Sequence, residues 1–119
     1  MVITNLGKNK IALFVGGSTT TPPAYFAIGS GSGTAAVTDT ALIHAVDGQA
    51  FTSTDVDTSQ KVTWQGDWSS NEMSGIQLRE FGVKVEAGTT GSVWSRTAFP
   101  ALTFDGTNEL RIEETIEIY

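Results

Sequence analysis

The chain has 119 residues, the size of one domain with one hydrophobic core. It contains no cysteine, which excludes disulfides, cysteine-based zinc sites and thiol chemistry. Its formal net charge is −6 and its seven basic residues are scattered, which argues against a nucleic-acid partner, because phosphate binding needs clustered Lys and Arg.

A short helix is predicted near the start of the chain, within residues 1–17. Thr4 or Asn5 can cap its first turn, and the glycines at 16 and 17 can end it. One face of this helix would carry Ile3, Leu6, Lys10, Leu13 and Phe14. A strand over residues 10–15 is the alternative interpretation, and residues 18–23 form a polar linker that leads to the first predicted strand.

The N-terminal segment does not have the pattern of a targeting signal. Its apolar run at residues 11–15 is too short for a signal peptide, and no stretch of the chain reaches the length of a transmembrane helix. Small exported domains often depend on disulfides. We therefore expect no membrane partner, and either a cytosolic origin or support from oligomerisation.

Residues 24–28 are predicted to form a short apolar strand, and the glycine-rich stretch 29–33 a flexible surface connection. A phosphate-binding loop would need a helix directly after these glycines and a βαβ unit around them. Residues 34–40 are typical of a loop instead, so we expect no phosphate site. Residues 37–46 can hold one helical turn or a short strand.

A hairpin is predicted from residues 49–57 and 60–68, with turn-forming residues between the two arms. Trp64 and Trp68 have the same parity as Val62 in the second arm, which predicts that both indoles lie in the core. Residues 69–75 are predicted to be a polar loop.

The stretch 76–87 is predicted to be a half-buried strand that the other strands cover. Phe81, Val83 and Val85 alternate with smaller or polar residues, which is the period of a strand. The parity changes near Arg79 and Glu80, where a bulge or a bend would keep both apolar sets facing inward.

The next predicted strand covers residues 92–99 and makes 78–98 a second hairpin. Pro100 is predicted to end that strand, because proline cannot donate to a ladder of hydrogen bonds. A turn around Asp105 and Gly106 leads to the last predicted strand.

That last strand covers residues 109–119, with four apolar residues on one face: Leu110, Ile112, Ile116 and Ile118. Glu114 has the same inward parity, and a buried carboxylate needs a partner. Two interpretations are open: a pairing with Arg79 or Arg96, or a place at the rim of the sheet.

Together these elements predict an all-β fold, an antiparallel β-sandwich with jelly-roll-like character and a short N-terminal helix. Six or seven short strands recur about every ten residues, which is typical of such folds. Abundant Gly, Ser and Thr suit strands and tight turns better than helices. We expect a single domain over 1–119, of which 1–23 are the N-terminal segment and linker.

We predict no catalytic, cofactor or metal site. The single histidine, His44, has no nucleophile motif near it. Asp55 and Asp57 lack the ligand spacing of a calcium-binding loop, although they leave loop calcium as an alternative. Glu113 and Glu114 are adjacent in a strand, so they point to opposite faces and cannot act together on one sugar. We therefore do not expect an enzyme.

Several segments, in this order, resemble small structural virion proteins of tailed bacteriophages. They are Ile3-Thr4-Asn5-Leu6-Gly7, Tyr25-Phe26-Ala27-Ile28-Gly29-Ser30-Gly31, Thr38-Asp39-Thr40-Ala41-Leu42, Leu78-Arg79-Glu80-Phe81-Gly82-Val83 and Arg96-Thr97-Ala98-Phe99-Pro100-Ala101, followed by an alternating last strand. The resemblance covers most of the chain. It implies a structural role in the virion with no known enzyme activity, and assembly in the host cytoplasm.

Three functional hypotheses follow from this resemblance and from the residues. The first is a protein that decorates or cements the capsid as a trimer or other homo-oligomer, with the major capsid protein and itself as partners. The second is a tail-fibre or baseplate adaptor that binds tail proteins. The third is a carbohydrate-binding module for host attachment, in which an exposed Trp94 would stack on sugars.

The contact elements expected under the first hypothesis are the N-terminal segment, the stretch 29–42 and the last strand, whose open edge can pair with another chain. The acidic Glu113 and Glu117 could equally block such pairing. The candidate interface residues are Leu6, Phe14, Tyr25, Leu42, Trp94, Ile118 and Tyr119.

Overall fold

The computed structural model describes residues 1–18, 20–58 and 60–118. Of these residues, 46% lie in strands and 13% in helices, so the described part of the chain is mostly β, as predicted. The elements in chain order are β1 (Val2–Ile3), α1 (Asn5–Val15), β2 (Tyr25–Gly29), β3 (Ala45–Ala50), β4 (Ser53–Asp57), β5 (Lys61–Trp68), α2 (Ser70–Met73), β6 (Gln77–Lys84), β7 (Val93–Thr103) and β8 (Leu110–Glu117).

The strands form two antiparallel sheets. The larger sheet has the order β1-β7-β6-β2-β3, and the smaller one has the order β4-β5-β8. Strand β6 lies in the middle of the larger sheet, between β7 and β2, as expected for the stretch 76–87. The predicted hairpins β4–β5 and β6–β7 are both present.

One hydrophobic cluster joins the two sheets. The larger sheet contributes Phe26 and Ile28 from β2, and the smaller sheet contributes Trp64, Trp68 and Ile112. Both indoles are buried, which confirms the core position predicted from their parity. Removing such large apolar surfaces from water is the main force that holds two sheets together.

Strand β6 is buried on both faces, so the prediction of a half-buried strand was wrong. Val83 faces the core between the sheets, while Glu80, Gly82 and Lys84 on the other face are also buried. The amine of Lys84 donates to the carbonyl oxygen of Thr90, and burial lowers the pKa of this amine. The residues between β2 and β3 cover this face, since Leu42 lies beside Gly82 and the backbone of Ile43 donates to Glu80. A period of two does not predict such cover, because polar residues in a strand normally face water.

The predicted change of phase in β6 coincides with a shift in its pairing to β7. Leu78 and Glu80 pair with Leu102 and Ala98 respectively. Three residues of β7 thus stand against one of β6, so the extra residues of this bulged interval lie in β7 and not in β6.

Strand β7 runs through Pro100 to Thr103, so the prediction that this proline ends the strand was wrong. Pro100 lies inside the bulged interval between Ala98 and Leu102, where no pair with β6 is formed. A proline is tolerated in a bulge because no ladder hydrogen bond requires its missing N–H group.

Helix α1 begins and ends where the sequence predicts. The Thr4 hydroxyl accepts a hydrogen bond from Gly7 N at 3.1 Å, and the cap residue at the other end is Gly16. The predicted apolar face was wrong at its far end, since Leu13 and Phe14 are exposed. The first half of the helix lies close to β7, since Gly7 brings the helix backbone against the carbonyl of Trp94.

Three further boundaries differ from the predictions. The predicted hairpin arm 49–57 is divided, because β3 joins the larger sheet and β4 the smaller one. The stretch 37–46 forms neither a helical turn nor a strand before β3 begins at Ala45. The predicted polar loop 69–75 contains α2, whose capping box between Ser69 and Glu72 was a readable signal.

Candidate interaction surfaces

A buried carboxylate organises the loop between β2 and β3, residues 30–44, which we call loop 30–44. Glu80 Oε1 accepts hydrogen bonds from Ile43 N at 2.8 Å and from Arg96 Nε at 3.0 Å. Glu80 Oε2 accepts from Gly31 N at 2.8 Å and from His44 N at 2.9 Å. Both oxygens of the charged group are thus satisfied, as burial of a carboxylate requires.

Arg96 completes this buried cluster from the neighbouring strand β7. Its guanidinium also donates to Asp39 Oδ2 and to the carbonyl oxygen of Gly33, each at 3.2 Å. Asp39 Oδ2 accepts a further bond from Ala36 N at 2.8 Å. The planar fork of an arginine suits this task, because its several donors diverge in fixed directions.

The cluster fixes loop 30–44 at both ends and in the middle, so the prediction of a flexible connection was wrong. Gly31 is buried, and a Cβ atom at this position would overlap Glu80 Oε2. The glycines therefore serve the close approach of backbone to carboxylate. The loop still presents apolar side chains to solvent, among them Val37 and Ile43.

Glu114 on β8 is a second buried carboxylate, and it lacks such partners. It is only 4% exposed and lies opposite Trp64, and within the described residues its Oε2 atom accepts no hydrogen bond. Desolvation raises the pKa of Glu114 to about 7, and the positive charge at the N-terminus acts in the opposite direction. The predicted pairing with Arg79 or Arg96 was wrong, since Arg96 binds Glu80 and Arg79 donates to Gln77 instead. The rim interpretation was wrong as well, because Glu114 is buried.

One of the residues considered for chemistry, His44, lies at the end of loop 30–44. The His44 side chain is exposed, and its Nδ1 atom lies 2.7 Å from the Ser30 hydroxyl. In the same part of the chain, no group of three or more His, Asp or Glu side chains could hold a metal ion. The expectation of no catalytic or metal site stays a prediction.

The seven candidate interface residues have very different exposure. Leu42 and Trp94 are buried within the chain, so Trp94 does not offer the exposed ring that a sugar contact would need. Leu6 and Tyr25 are half-buried, and Leu6 meets Trp94 in a cleft of about 420 Å³ beside Lys10 and Glu86. These four residues thus offer little surface to a partner.

Two of the candidate interface residues offer more surface to a partner than these four. Phe14 of α1 and Ile118, which directly follows β8, are 60% and 65% exposed. Tyr119 lies outside the described residues. Whether any candidate contacts a partner stays a prediction.

No pattern in the sequence predicted the apolar groove at the open end of the smaller sheet. We call it the tip groove. It has a volume of about 390 Å³ and is lined by Val56, Asp57, Gln60, Lys61, Val62, Ile116 and Ile118. Val56 pairs with Val62, which pairs with Ile116, so the three side chains form one row across the strands. The available signal was Val56, the one large apolar residue among the Ser, Thr and Asp residues of β4.

The smaller sheet has two open edges among the described residues. Strands β4 and β8 each pair only with β5, and every residue of β4 is exposed. The predicted edge at the last strand is therefore confirmed. Pairing of this edge with another chain stays a prediction. Charged side chains on β4 and β8 oppose the simple addition of a strand.

No described helix is long and apolar enough to cross a membrane. The chain matches no protein-family model, no curated protein and no solved structure.

Proposed function

We propose that this protein is a structural component of tailed-phage particles that decorates or cements the capsid surface through protein–protein contacts. In this proposal its partners are the major capsid protein and further copies of itself, and it joins the virion after assembly in the host cytoplasm. The two sheets then act as the layers of a jelly-roll-like β-sandwich, a single rigid domain whose outer surfaces make the contacts.

The observation that carries this proposal is where the phage-like segments meet. Gly31, Asp39, Glu80 and Arg96 each come from a different one of those segments, and all four belong to one buried hydrogen-bonded cluster. Four segments that are far apart in the chain thus share one structural purpose, which is to fix loop 30–44. The presence of all four segments in one chain then has a physical cause, because each supplies a residue to the same buried cluster.

A fixed loop suits a cementing role. Binding costs free energy when a flexible segment must become ordered, and a preformed loop avoids most of that cost. Val37 and Ile43 are exposed on this loop, so it can bury apolar surface against a shell subunit without rearranging. We assign loop 30–44 as the first contact element of the proposed capsid interface.

Immuno-electron microscopy of intact particles tests the location. Gold label spread evenly over the head supports decoration, and label confined to the tail tip assigns the protein to the alternative tail-fibre or baseplate role. Label absent from particles that retain all their structural proteins overturns both assignments.

Binding of purified protein to shells that lack it tests the assigned loop. We expect Ile43→Asp to reduce co-sedimentation with shells at least tenfold, because it places a charge at the centre of the buried contact. Leu102→Asp is the matched control, since Leu102 is also an exposed aliphatic residue but lies on β7 away from the loop. Equal binding of the two variants argues against the loop.

The carbohydrate-binding alternative loses the feature on which it depended. Trp64, Trp68 and Trp94 are all buried, so none of them forms an exposed platform for a sugar ring. A glycan titration that quenches tryptophan fluorescence would revive this alternative.

A further inference from the structure

The open edge of β8 offers backbone groups that can be assigned residue by residue. Ile118 N, just after β8, donates to the carbonyl oxygen of Gln60 at 3.0 Å, so the main chain at Ile118 points toward β5. This direction alternates along an antiparallel strand. The even-numbered residues of β8 therefore bond to β5, and the odd-numbered residues direct their N–H and C=O groups to the open edge.

The two faces of β8 carry different side chains. Ile112 and Glu114 face the core between the sheets. Within the described residues, Glu114 Oε2 is buried and accepts no hydrogen bond, so this carboxyl group lacks the partner that its burial requires. The exposed outer face carries the odd-numbered residues Arg111, Glu113, Thr115 and Glu117.

One antiparallel register suits the pairing of β8 with β8 of a second copy. When the two Glu114 residues lie opposite each other, Arg111 lies opposite Glu117 and no like charges meet on the outer face. A shift by two residues sets Glu113 opposite Glu113 or Glu117, and like charges directly opposite are destabilising. A shift by one residue sets core residues against outer residues, and larger shifts leave more of the strand unpaired.

The ion pairs present in each smaller sheet extend across this contact. Glu117 lies 3.9 Å from Lys61 of β5, and Arg111 Nε lies 2.8 Å from Asp67 Oδ1 of β5. In the register centred on Glu114, Lys61 and Glu117 of one copy form a single row with Arg111 and Asp67 of the other. The charges alternate in sign along this row, so every residue keeps its present partner and Glu117 and Arg111 each gain a second one. The edge is thus complementary to itself.

We propose that β8 pairs antiparallel with β8 of a second copy, and that the two Glu114 carboxyl groups hydrogen-bond to each other on the core side of the joined sheet. The main chain at Glu114 points to β5, so these two residues form a pair without backbone hydrogen bonds, with Cα atoms about 4.5 Å apart. One protonated carboxyl group then donates to the unpartnered oxygen of the other. Each copy presents the same surface, so the contact closes as a symmetric dimer.

This inference rests on the proposed function for its biological setting, since it names the contact between copies of a protein that cements a shell. The contact itself is tested with pure protein in solution, without particles. A protein that stays monomeric and still binds shells overturns this inference alone, and a dimer that is absent from particles overturns the proposed function alone.

The shared proton makes the contact depend on pH. Burial raises the pKa of Glu114 to about 7 in the single copy, and the amine of the N-terminus is the charged group that opposes this rise. The charged residues of β5 and β8 lie on the outer face of the sheet and point away from Glu114. Below pH 7 the carboxyl groups hold the protons that the pair needs. Above pH 7 two carboxylates would face each other, so association weakens as pH rises.

Sedimentation equilibrium at pH 6 and pH 9 tests this dependence, over about 10 μM to about 1 mM protein to cover weak association. We expect the wild type to dimerise at pH 6, with a dissociation constant at least tenfold higher at pH 9. Glu114→Gln keeps a donor and an acceptor without a proton to lose, so it should dimerise equally at both pH values. Glu109→Gln, an exposed change just before β8, should behave like the wild type.

Introduced cysteines test the register, because the chain has no cysteine of its own. Glu113→Cys and Thr115→Cys each place one thiol on the exposed outer face. In the proposed register these two positions lie opposite each other with Cα atoms about 5.5 Å apart, which suits a disulfide. Oxidation of an equal mixture with diamide at pH 6.5 should make the mixed disulfide at least tenfold more abundant than either symmetric one. Random collision would give a twofold excess.

Three results would overturn the proposal. The first is a wild type that stays monomeric at pH 6 up to the highest concentration. The second is a dimer with the same dissociation constant at pH 6 and pH 9, which would exclude Glu114 from the contact. The third is a mixed disulfide at or below the twofold excess of random collision, which would assign any dimer to another register or another surface.

Discussion

Glu114 and Glu80 show how differently two buried carboxylates can behave. Glu80 accepts four hydrogen bonds, two to each oxygen, and is paired with Arg96. Glu114 is buried beside Trp64 with an unpartnered oxygen, and burial raises its pKa to about 7. Glu80 stabilises a loop through its hydrogen bonds, while Glu114 is best accommodated with its proton bound.

We expect Glu114→Gln to stabilise the protein at pH 8 and to have little effect near pH 4.5. The pKa of Glu114 is about 7 in the folded state against 4.5 in the unfolded chain, so the unfolded chain loses its proton first. Wild-type stability therefore falls as pH rises from 4.5 to 7 and then levels off, by about 3 kcal/mol from this group. The amide has no proton to lose at these pH values.

Urea unfolding of both proteins at pH 4.5 and pH 8 measures this difference. Glu113→Gln is the control, because Glu113 is exposed on the same strand and should change stability equally little at both values. A gain for Glu114→Gln that is the same at both pH values would contradict the assignment to a buried proton.

We expect Glu80→Gln to destabilise the fold by about 3–5 kcal/mol, since it leaves the buried guanidinium of Arg96 without its fully buried counter-charge. Asp67→Asn removes an exposed pair with Arg111 and should cost far less, because water screens that interaction. Thermal unfolding at pH 7 compares the two variants. Similar losses in both would mean that Glu80 contributes no more than a surface ion pair.

At the scale of elements, Gly7 explains why α1 lies where it does. Glycine is a poor helix former, and alanine is favoured over it by about 1 kcal/mol in an exposed helix. Here a Cβ atom at position 7 would overlap the carbonyl oxygen of Trp94, so the glycine allows helix and strand to approach closely. The residue that weakens the helix in isolation thus positions it in the folded chain.

We expect Gly7→Ala to destabilise the protein by about 1–3 kcal/mol despite the gain in helix propensity, because the backbone of β7 must shift to make room. Asn9→Ala is the control on the exposed side of the same helix, where alanine should be neutral or stabilising. Chemical denaturation of the three proteins gives the comparison. A stabilised Gly7→Ala would show that the helix can move away from the strand at no cost.

At the scale of the whole molecule, the two sheets share one core. Phe26 and Ile28 of the larger sheet pack in the same cluster as Trp64 and Trp68 of the smaller sheet. Neither sheet can therefore unfold without exposing the apolar surface of the other, which is the condition for cooperative unfolding of a small domain.

Tryptophan fluorescence can follow each sheet separately. We expect the Trp94→Phe variant, which reports on Trp64 and Trp68 in the smaller sheet, to unfold in one urea transition. The double variant with Trp64→Phe and Trp68→Phe reports on Trp94 in the larger sheet. Within each variant the fluorescence transition should coincide with the one followed by circular dichroism. Two separated transitions within one variant would show that the sheets are independent units.

The sequence by itself determined the features that depend on neighbouring residues. Parity placed Trp64 and Trp68 in the core, the change of phase located the shift in pairing before Glu80, and Thr4 with Gly16 marked the ends of α1. These features follow from local steric and hydrogen-bonding rules that act over a few residues. The mostly β character followed from the same rules.

Only the tertiary structure decided the roles that arise between distant residues. Loop 30–44 supplies backbone donors to Glu80 and a carbonyl acceptor to Arg96. Because the loop covers them, this ion pair on the outer face of β6 and β7 is buried. The irregular pairing with β6 made Pro100 compatible with a strand, and Leu13 and Phe14 at the far end of α1 are left exposed. A residue's burial depends on what the rest of the chain places over it, and no local pattern contains that information.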